Sequence, residues 1–286
     1  MKSLRIFLYI VIVFFIASYF GLAYYVDEQF AKREYTATYN DCHKVWSTRG
    51  IYGEGIDQNS VESVNKAFAQ GAKGVEIDIY YDAQLMDYVV SHGYPYSTPK
   101  GQILLLSELF NAVNEGHYYY WLDFKKLRSL DHAQAVQAVQ RLQDISRDNE
   151  LKERIYVEGE APVNLALFRE AGFHTIFDTH PAPTSRLRSA FMITVYKIFY
   201  YFGDHSVMGM EYGTLDDPVY GAETRERLKH VPVFLYHLPV DEALIRELLP
   251  FNAVRALLIG NNQSLNFHHL NACEPEQAFV KTAEDH

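Results

Sequence analysis

The stretch Gly71 to His92, GAKGVEIDIYYDAQLMDYVVSH, decides the fold. Its centre, Val75-Glu76-Ile77-Asp78-Ile79, alternates branched apolar residues with two carboxylates, which is the period of a β-strand. Glu76 and Asp78 are two positions apart and therefore leave the same face, while Val75, Ile77 and Ile79 leave the other and pack. Two acids side by side on a rigid strand repel each other unless something positive sits between them. A divalent cation resolves that conflict, and an all-oxygen ligand set suits magnesium or calcium. The plainer reading is a half-exposed strand with a wet acidic face.

Working outward, strand-like and helix-like segments alternate about eight times over roughly 220 residues, the pattern of a parallel sheet with helical crossovers that closes into a (β/α)8 TIM barrel. The strand candidates are Lys44–Thr48, the acidic strand, Tyr118–Phe124, Arg154–Val157, His174–Phe177, Ser206–Met210, Val231–Tyr236 and Ala256–Ile259, with a further extended piece at Tyr88–Ser91. Helices are expected at Asn59–Gln70, Leu105–Glu115 with Ser107 as cap, Asp131–Asp148 capped by Asp131, Val163–Ala171, Ser185–Phe202, Gly221–Lys229 and Asp241–Leu249. In such a barrel reactive groups gather at the C-terminal ends of the strands. Glu76, Asp78, Asp123, Glu158, Asp178, Glu211 and His237 all fall there. Glu158, Asp178 and Glu211 read as supports for neighbouring side chains or as partners for Arg side chains, rather than as ligands.

The chain has 286 residues and a net charge of −10. That balance argues against nucleic acid as the main partner, since a phosphate backbone needs clustered Lys and Arg. Aromatic residues make up 15%, with 22 Tyr and 18 Phe, which suits either an aromatic core or contact with lipid. Lys2 and Arg5 precede a run from Ile6 to Val26 without a charge. The run matches the ~20 residues that cross a bilayer and exceeds the apolar region of a cleaved leader. The expectation is an uncleaved, single-pass signal anchor in the cell membrane. Positive charge ahead of the span puts residues 1–5 in the cytoplasm. Residues 27–43 then form a tether, 44–272 the barrel on the periplasmic or extracellular side, and 273–286 a polar tail. Tyr19, Tyr24 and Tyr25 suit an interfacial belt near the outer end of the span. Cys42 and Cys273 are the only cysteines. Unpaired thiols are the simpler expectation, with a disulfide geometrically possible if the first and last strands are neighbours. The apolar, Arg/Lys-interleaved segment Ser185–Phe202 reads either as an ordinary outer barrel helix or as a membrane-facing element.

Read together, Thr48-Arg49-Gly50, Asn59-Ser60, Gly71-Ala72, Glu76-x-Asp78 and Val89-Val90-Ser91-His92 resemble the glycerophosphodiester phosphodiesterase family in order and spacing. His92-Gly93-x-Pro95 and Asp123-x-Lys125 look more like the related sphingomyelinase D phospholipases. The resemblance covers about residues 44 to 260. It implies a TIM-barrel hydrolase of glycerophosphodiesters or of phospholipid and lysophospholipid headgroups. Glu76, Asp78 and Asp123 would hold one divalent cation, Mg2+ or Ca2+. Arg49 and Lys125 would bind phosphate oxygens, and His92 would act as general acid. The family carries a histidine immediately before Arg-Gly, where this chain has Thr48, and a hydroxyl cannot serve as a base near neutral pH. His237, or less plausibly His180, could supply the missing imidazole, one histidine could suffice, or the barrel could bind headgroups or serve an envelope assembly without turnover. His43 lies at the wrong end of its strand.

Overall fold

The computed structural model describes residues 2–98, 101–113, 116–159, 161–179, 186–260 and 267–273, and gives the backbone alone for residues 2, 3, 186 and 187. Expectations at His180 and in the tail beyond Cys273 lie outside the described residues. Eight parallel strands close a (β/α)8 barrel in the order β1 (Val45–Thr48), β9 (Val254–Ile259), β8 (Val233–Tyr236), β7 (Val207–Glu211), β6 (His174–Thr179), β5 (Ile155–Glu158), β4 (Tyr119–Phe124) and β2 (Gly74–Asp82), and β2 pairs back onto β1. The surrounding helices are α2 (Val61–Ala69), α3 (Leu106–Val113), α4 (His132–Asp148), α5 (Pro162–Glu170), α6 (Arg186–Phe202), α7 (Ala222–Arg227) and α8 (Glu242–Leu248).

Side-chain alternation separates two cores. Val75, Ile77 and Ile79 of β2, with Tyr120, Leu122 and Phe124 of β4, point outward and pack under the helices. Trp46, Trp121, Tyr156, Ile176, Val207, Phe234, Ala256 and Leu258 point inward and fill the barrel. Part of the high aromatic content lies in these two cores: Trp46, Trp121, Tyr88, Tyr120 and Tyr156 are among the largest fully buried side chains. Gly74 occupies the inward position below Glu76, where a Cβ would lie 2.1 Å from the Trp46 ring, so only glycine lets that indole lie across the barrel floor.

Helix starts follow their caps. Ser60 forms a capping box with Ser63 ahead of α2, Asp131 caps α4 through Gln134, and Asp241 caps α8 through Leu244. Ser107 is not a cap: it lies inside the first turn of α3, and the Glu108 side chain accepts from the Leu105 N–H at 3.0 Å. The ninth strand, β3 (Asp87–Val90), is antiparallel and sits on β2 outside the barrel ring.

The N-terminal apolar run forms α1 (Lys2–Lys32), a single helix long and apolar enough to cross a membrane. It continues past Val26 into the stretch expected as a tether. Val26 and Phe30 are buried against the barrel, and Thr38 and Tyr39 are buried beneath it. The Tyr39 N–H donates to the Tyr156 hydroxyl at 2.6 Å, and its ring meets Trp46, so this segment stoppers the barrel's N-terminal end. The expectation of unpaired thiols is overturned. Cys42 and Cys273 form a disulfide with Cα atoms 5.0 Å apart, because the Ala272 N–H donates to the Cys42 carbonyl and brings the chain's late segment back beside β1. Replacing Cys42 by Ser should lower stability by about 2–5 kcal/mol in a denaturant titration, since the bond closes a very long loop. An unchanged midpoint would show that the bond contributes nothing.

Acid should weaken the fold through two buried histidines. Burial pushes His205 and His268 down to about 4. An unfolded chain protonates both near 6.5. Between those values the unfolded state holds more protons, so stability falls as pH drops from about 6.5 towards 4, by up to about 1.4 kcal/mol per pH unit for each group. Denaturant titrations at pH 7 and pH 5 measure this, and His268→Gln should remove roughly half of this pair's contribution. A pH dependence unaltered by that substitution contradicts the assignment.

Candidate active site at the barrel mouth

The inward column of β2 runs Gly74, Glu76, Asp78, so the alternation that buries Val75, Ile77 and Ile79 carries both acids into the barrel mouth. β4 pairs with β2 in the register Asp78↔Asp123, which sets the third acid level with the second. Oxygens of Glu76, Asp78 and Asp123 lie within 4.8 Å of one another and could hold a metal ion. The plainer alternative of a wet acidic strand does not hold, because Glu76 and Asp78 are 4% and 0% exposed.

One edge of β2 explains how the remaining groups reach this point. β1 pairs with β2 only as far as Thr48↔Glu76, after which the chain turns away at Arg49, whose N–H donates to the Glu76 carbonyl at 2.9 Å. β3 takes over the vacated edge from Ile79↔Val90, and the Ser91 N–H donates to the Asp78 carbonyl at 3.0 Å. Arg49 and His92 therefore both leave the backbone beside Asp78. Gly50 follows Arg49 with φ +76°, and a Cβ there would sit 2.4 Å from the Ser63 backbone. The Arg49-Gly50 pair is a requirement of this close approach.

Asp78 is the most heavily contacted acid. Arg49 Nε lies 2.7 Å from Oδ2 and Lys125 Nζ 2.8 Å from Oδ1. Asn59 Nδ2 donates to Oδ2 at 2.8 Å, while Asn59 Oδ1 accepts from the Asp78 N–H at 3.1 Å. His92 Nδ1 is 3.2 Å from Oδ1. Burial alone would raise the Asp78 pKa, but Lys125, Asn59 and Arg49 outweigh it and hold the carboxyl below its usual range. Asp123 shares Lys125 with Asp78, yet burial together with the Asp78 charge still raises it. Lys125 is raised in turn: burial opposes its charge, and Asp123 and Asp78 override that. Glu76 fares worst. Burial, then Asp78 and Asp123, push it well above the normal carboxylate range, and its Oε2 is buried with no hydrogen-bond partner. A buried acid oxygen without a donor, beside two more acids, is an environment that a divalent cation would satisfy.

The same mouth holds a cavity of about 550 Å³ whose wall includes Thr48, Arg49, Glu76, His92, Asp123, Lys125 and His237. All the expected site residues thus meet in one place, with Asp78 buried just behind. They do not meet equally. His237 lies on the rim, 74% exposed, with Nδ1 3.6 Å from Glu211, and β9 separates its strand from Thr48. Several wall residues were not anticipated. Trp121 donates from Nε1 to Glu158, and the Tyr236 hydroxyl donates to Asp178 at 2.9 Å. Glu158 and Asp178 do support neighbours, through neutral donors. Trp121 could have been found by its spacing, two residues before Asp123 on one strand face. Tyr80, whose hydroxyl donates to the His92 carbonyl at 3.4 Å, carries the same signal two residues after Asp78 on β2.

No protein-family profile matches the sequence and no curated protein is detectably similar to it. Solved structures do match. A glycerophosphodiester phosphodiesterase from Parabacteroides distasonis superposes with TM-score 0.57 at 14% identity, covering 78% of this chain and 94% of its own. An Oleispira antarctica phosphodiesterase in complex with the product sn-glycerol-3-phosphate gives 0.55 at 12%, covering 76% and 92%. An Agrobacterium tumefaciens glycerophosphodiester phosphodiesterase gives 0.51 at 12%, covering 77% and 96%. The chain shares the barrel fold of these phosphodiesterases. The barrel implied by the motif resemblance is the barrel observed, and the sphingomyelinase D likeness finds no counterpart among these neighbours.

A cation bound by the three acids stabilises the folded state alone. At a hundredfold excess over Kd the gain is about 2.7 kcal/mol, or roughly 5–10 °C in Tm. Magnesium, calcium and manganese titrations followed by thermal melts should show this for the native chain and lose it in Glu76→Gln. Equal shifts in both proteins would put the cation elsewhere.

Proposed function

We propose that this protein is a metal-dependent phosphodiester hydrolase acting on glycerophosphodiesters or on phospholipid and lysophospholipid headgroups. The observation that carries the reading is the convergence of Glu76, Asp78 and Asp123 with Arg49, Lys125 and His92 at one barrel mouth. Glu76, Asp78 and Asp123 would hold one magnesium or calcium ion. When bound, that ion supplies positive charge against the phosphate oxygens. Its charge also relieves the repulsion among the acids.

The chain's own groups account for the rest. A phosphodiester is a stable anion, and the Arg49 guanidinium and Lys125 ammonium neutralise it as the attacking oxygen approaches phosphorus. The phosphorus–oxygen bond to the leaving alcohol then breaks, and that oxygen needs a proton. Asp78 orients His92 through Nδ1, which leaves Nε2 to donate a proton to the alcohol. With water as nucleophile the products are an alcohol and a phosphomonoester, and with a neighbouring hydroxyl the product is a cyclic phosphate. Thr48 cannot take the nucleophile's proton. His237 on the cavity rim is the remaining imidazole in the wall among the described residues.

A second reading rests on Thr48 itself. With no histidine before Arg49, the barrel would hold a phosphorylated headgroup without turning it over. The apolar α1 supports single-pass anchoring in the cell membrane, and the Cys42–Cys273 bond supports placing the barrel on the oxidising, outer side.

Release of choline or glycerol phosphate from glycerophosphocholine and lysophosphatidylcholine, with magnesium or calcium present, tests the proposal. His92→Ala should lower kcat by about 10²–10⁴, and Glu76→Ala should abolish turnover. Native turnover no higher than that of Glu76→Ala across several phosphodiesters sinks the enzymatic reading. Thr48→His should raise turnover strongly if the native site is impaired, and should leave it unchanged if His237 already serves.

A further inference from the structure

The register between α1 and α6 fixes which end of the barrel meets the membrane. The two helices run parallel. Tyr19 stacks on Phe191, Asp27 pairs with Lys197, Phe30 meets Tyr200, and Arg33 pairs with Asp204. α6 follows β6, so it begins at the C-terminal ends of the strands, where the cavity opens, and descends towards their N-terminal ends. α1 must therefore descend in the same sense. Its buried residues, Val26 and Phe30, lie low on the barrel wall, and its exposed apolar residues from Leu4 to Phe20 lie at or beyond the mouth. From Leu4 to Ser18 the helix would extend about 22 Å past the level of Phe191, at 1.5 Å per residue.

The part of α1 that projects past Phe191 then lies in the bilayer, with Tyr19 near the outer membrane surface beside the start of α6. The mouth is thus pressed to the bilayer rather than turned away from it. The rim agrees. Val163, Leu215 and Val240 are exposed apolar side chains that each follow the C-terminal end of a barrel strand, and the exposed Tyr94 ring lies under the ammonium of Lys126 in the cavity wall. On the helix-to-strand turns at the other end, among the described residues, only Phe202 and Phe251 are comparably exposed, and the Arg225 guanidinium covers the Phe251 ring.

We infer that the barrel mouth faces the outer leaflet and that the site takes its phosphodiester from a lipid held in that leaflet, not from a soluble diester. This rests on the hydrolase reading above and narrows its substrate to a membrane-resident phospholipid or lysophospholipid. The apolar rim would dip among the acyl chains while the headgroup reaches Arg49 and Lys125. The inference also gives α6 its role: its apolar face is shared between α1 and lipid.

The test uses the full chain in phosphatidylcholine vesicles. Trp46 and Trp121 are buried, so a tryptophan added by Leu215→Trp or Val240→Trp reports the rim, and Phe251→Trp reports the far end. Vesicles with bromine on the acyl chains should quench the two rim reporters at least several-fold more than the far-end one. Equal quenching, or quenching at Phe251→Trp alone, overturns the orientation. In the same vesicles, head-group release from lysophosphatidylcholine should exceed that from soluble glycerophosphocholine by tenfold or more. Equal or faster cleavage of the soluble diester overturns the substrate assignment even if the rim is quenched. Rim quenching with no release from either diester removes the substrate assignment through failure of the hydrolase reading, and leaves the orientation standing.

Discussion

The buried Asp78 carboxylate is the constraint on which the site depends. It is fully buried, it is ionised because Lys125 and Arg49 stand against it, and it is fixed in place by the Asn59 side chain. Every element that meets it is bent to do so. β1 leaves the edge of β2 at Arg49, β3 fills the gap, and Lys125 reaches back from the end of β4, its N–H donating to the Ile79 carbonyl at 2.8 Å. Three backbone positions around this point, Arg49, Gly50 and Asn59, take positive φ, and two of them are not glycine. Non-glycine residues pay for that conformation in strain, so their placement marks a site whose geometry outweighs local comfort.

Charge within the mouth is unevenly satisfied. Asp78 has its cations, while Glu76 has an acid on either side and an oxygen with no donor. Summed over Glu76, Asp78 and Asp123 against Arg49 and Lys125, the cluster carries one more acid than base. A divalent cation there would turn that deficit of one into an excess of one and would free Arg49 and Lys125 to meet an anionic substrate. The metal reading and the phosphate-binding reading therefore depend on each other.

Much of this was legible in the sequence because it is local. Alternation in Val75–Ile79 gave the strand and the common face of its acids. Asp131 and Asp241 gave helix starts, and eightfold alternation gave the barrel. What was not legible depends on contacts between distant segments. Tyr39 reads as polar linker until Tyr156 and Trp46 close around it. Cys42 and Cys273 read as a possible pair but not as a formed one, until the Ala272 N–H donates to the Cys42 carbonyl and draws them together. Ser107 offers a hydroxyl at a plausible cap, but Glu108 satisfies the backbone instead. The α1–α6 register, which orients the mouth, involves residues 170 or more positions apart and has no signature in either helix alone.

The claim everything else rests on is that three acids from β2 and β4 share one cation. Crystals grown with manganese and measured at its absorption edge test it most directly. The account predicts a single anomalous peak at about 2.0–2.3 Å from oxygens of Glu76, Asp78 and Asp123. A mouth without a peak under saturating manganese, or a peak bound elsewhere on the chain, contradicts it.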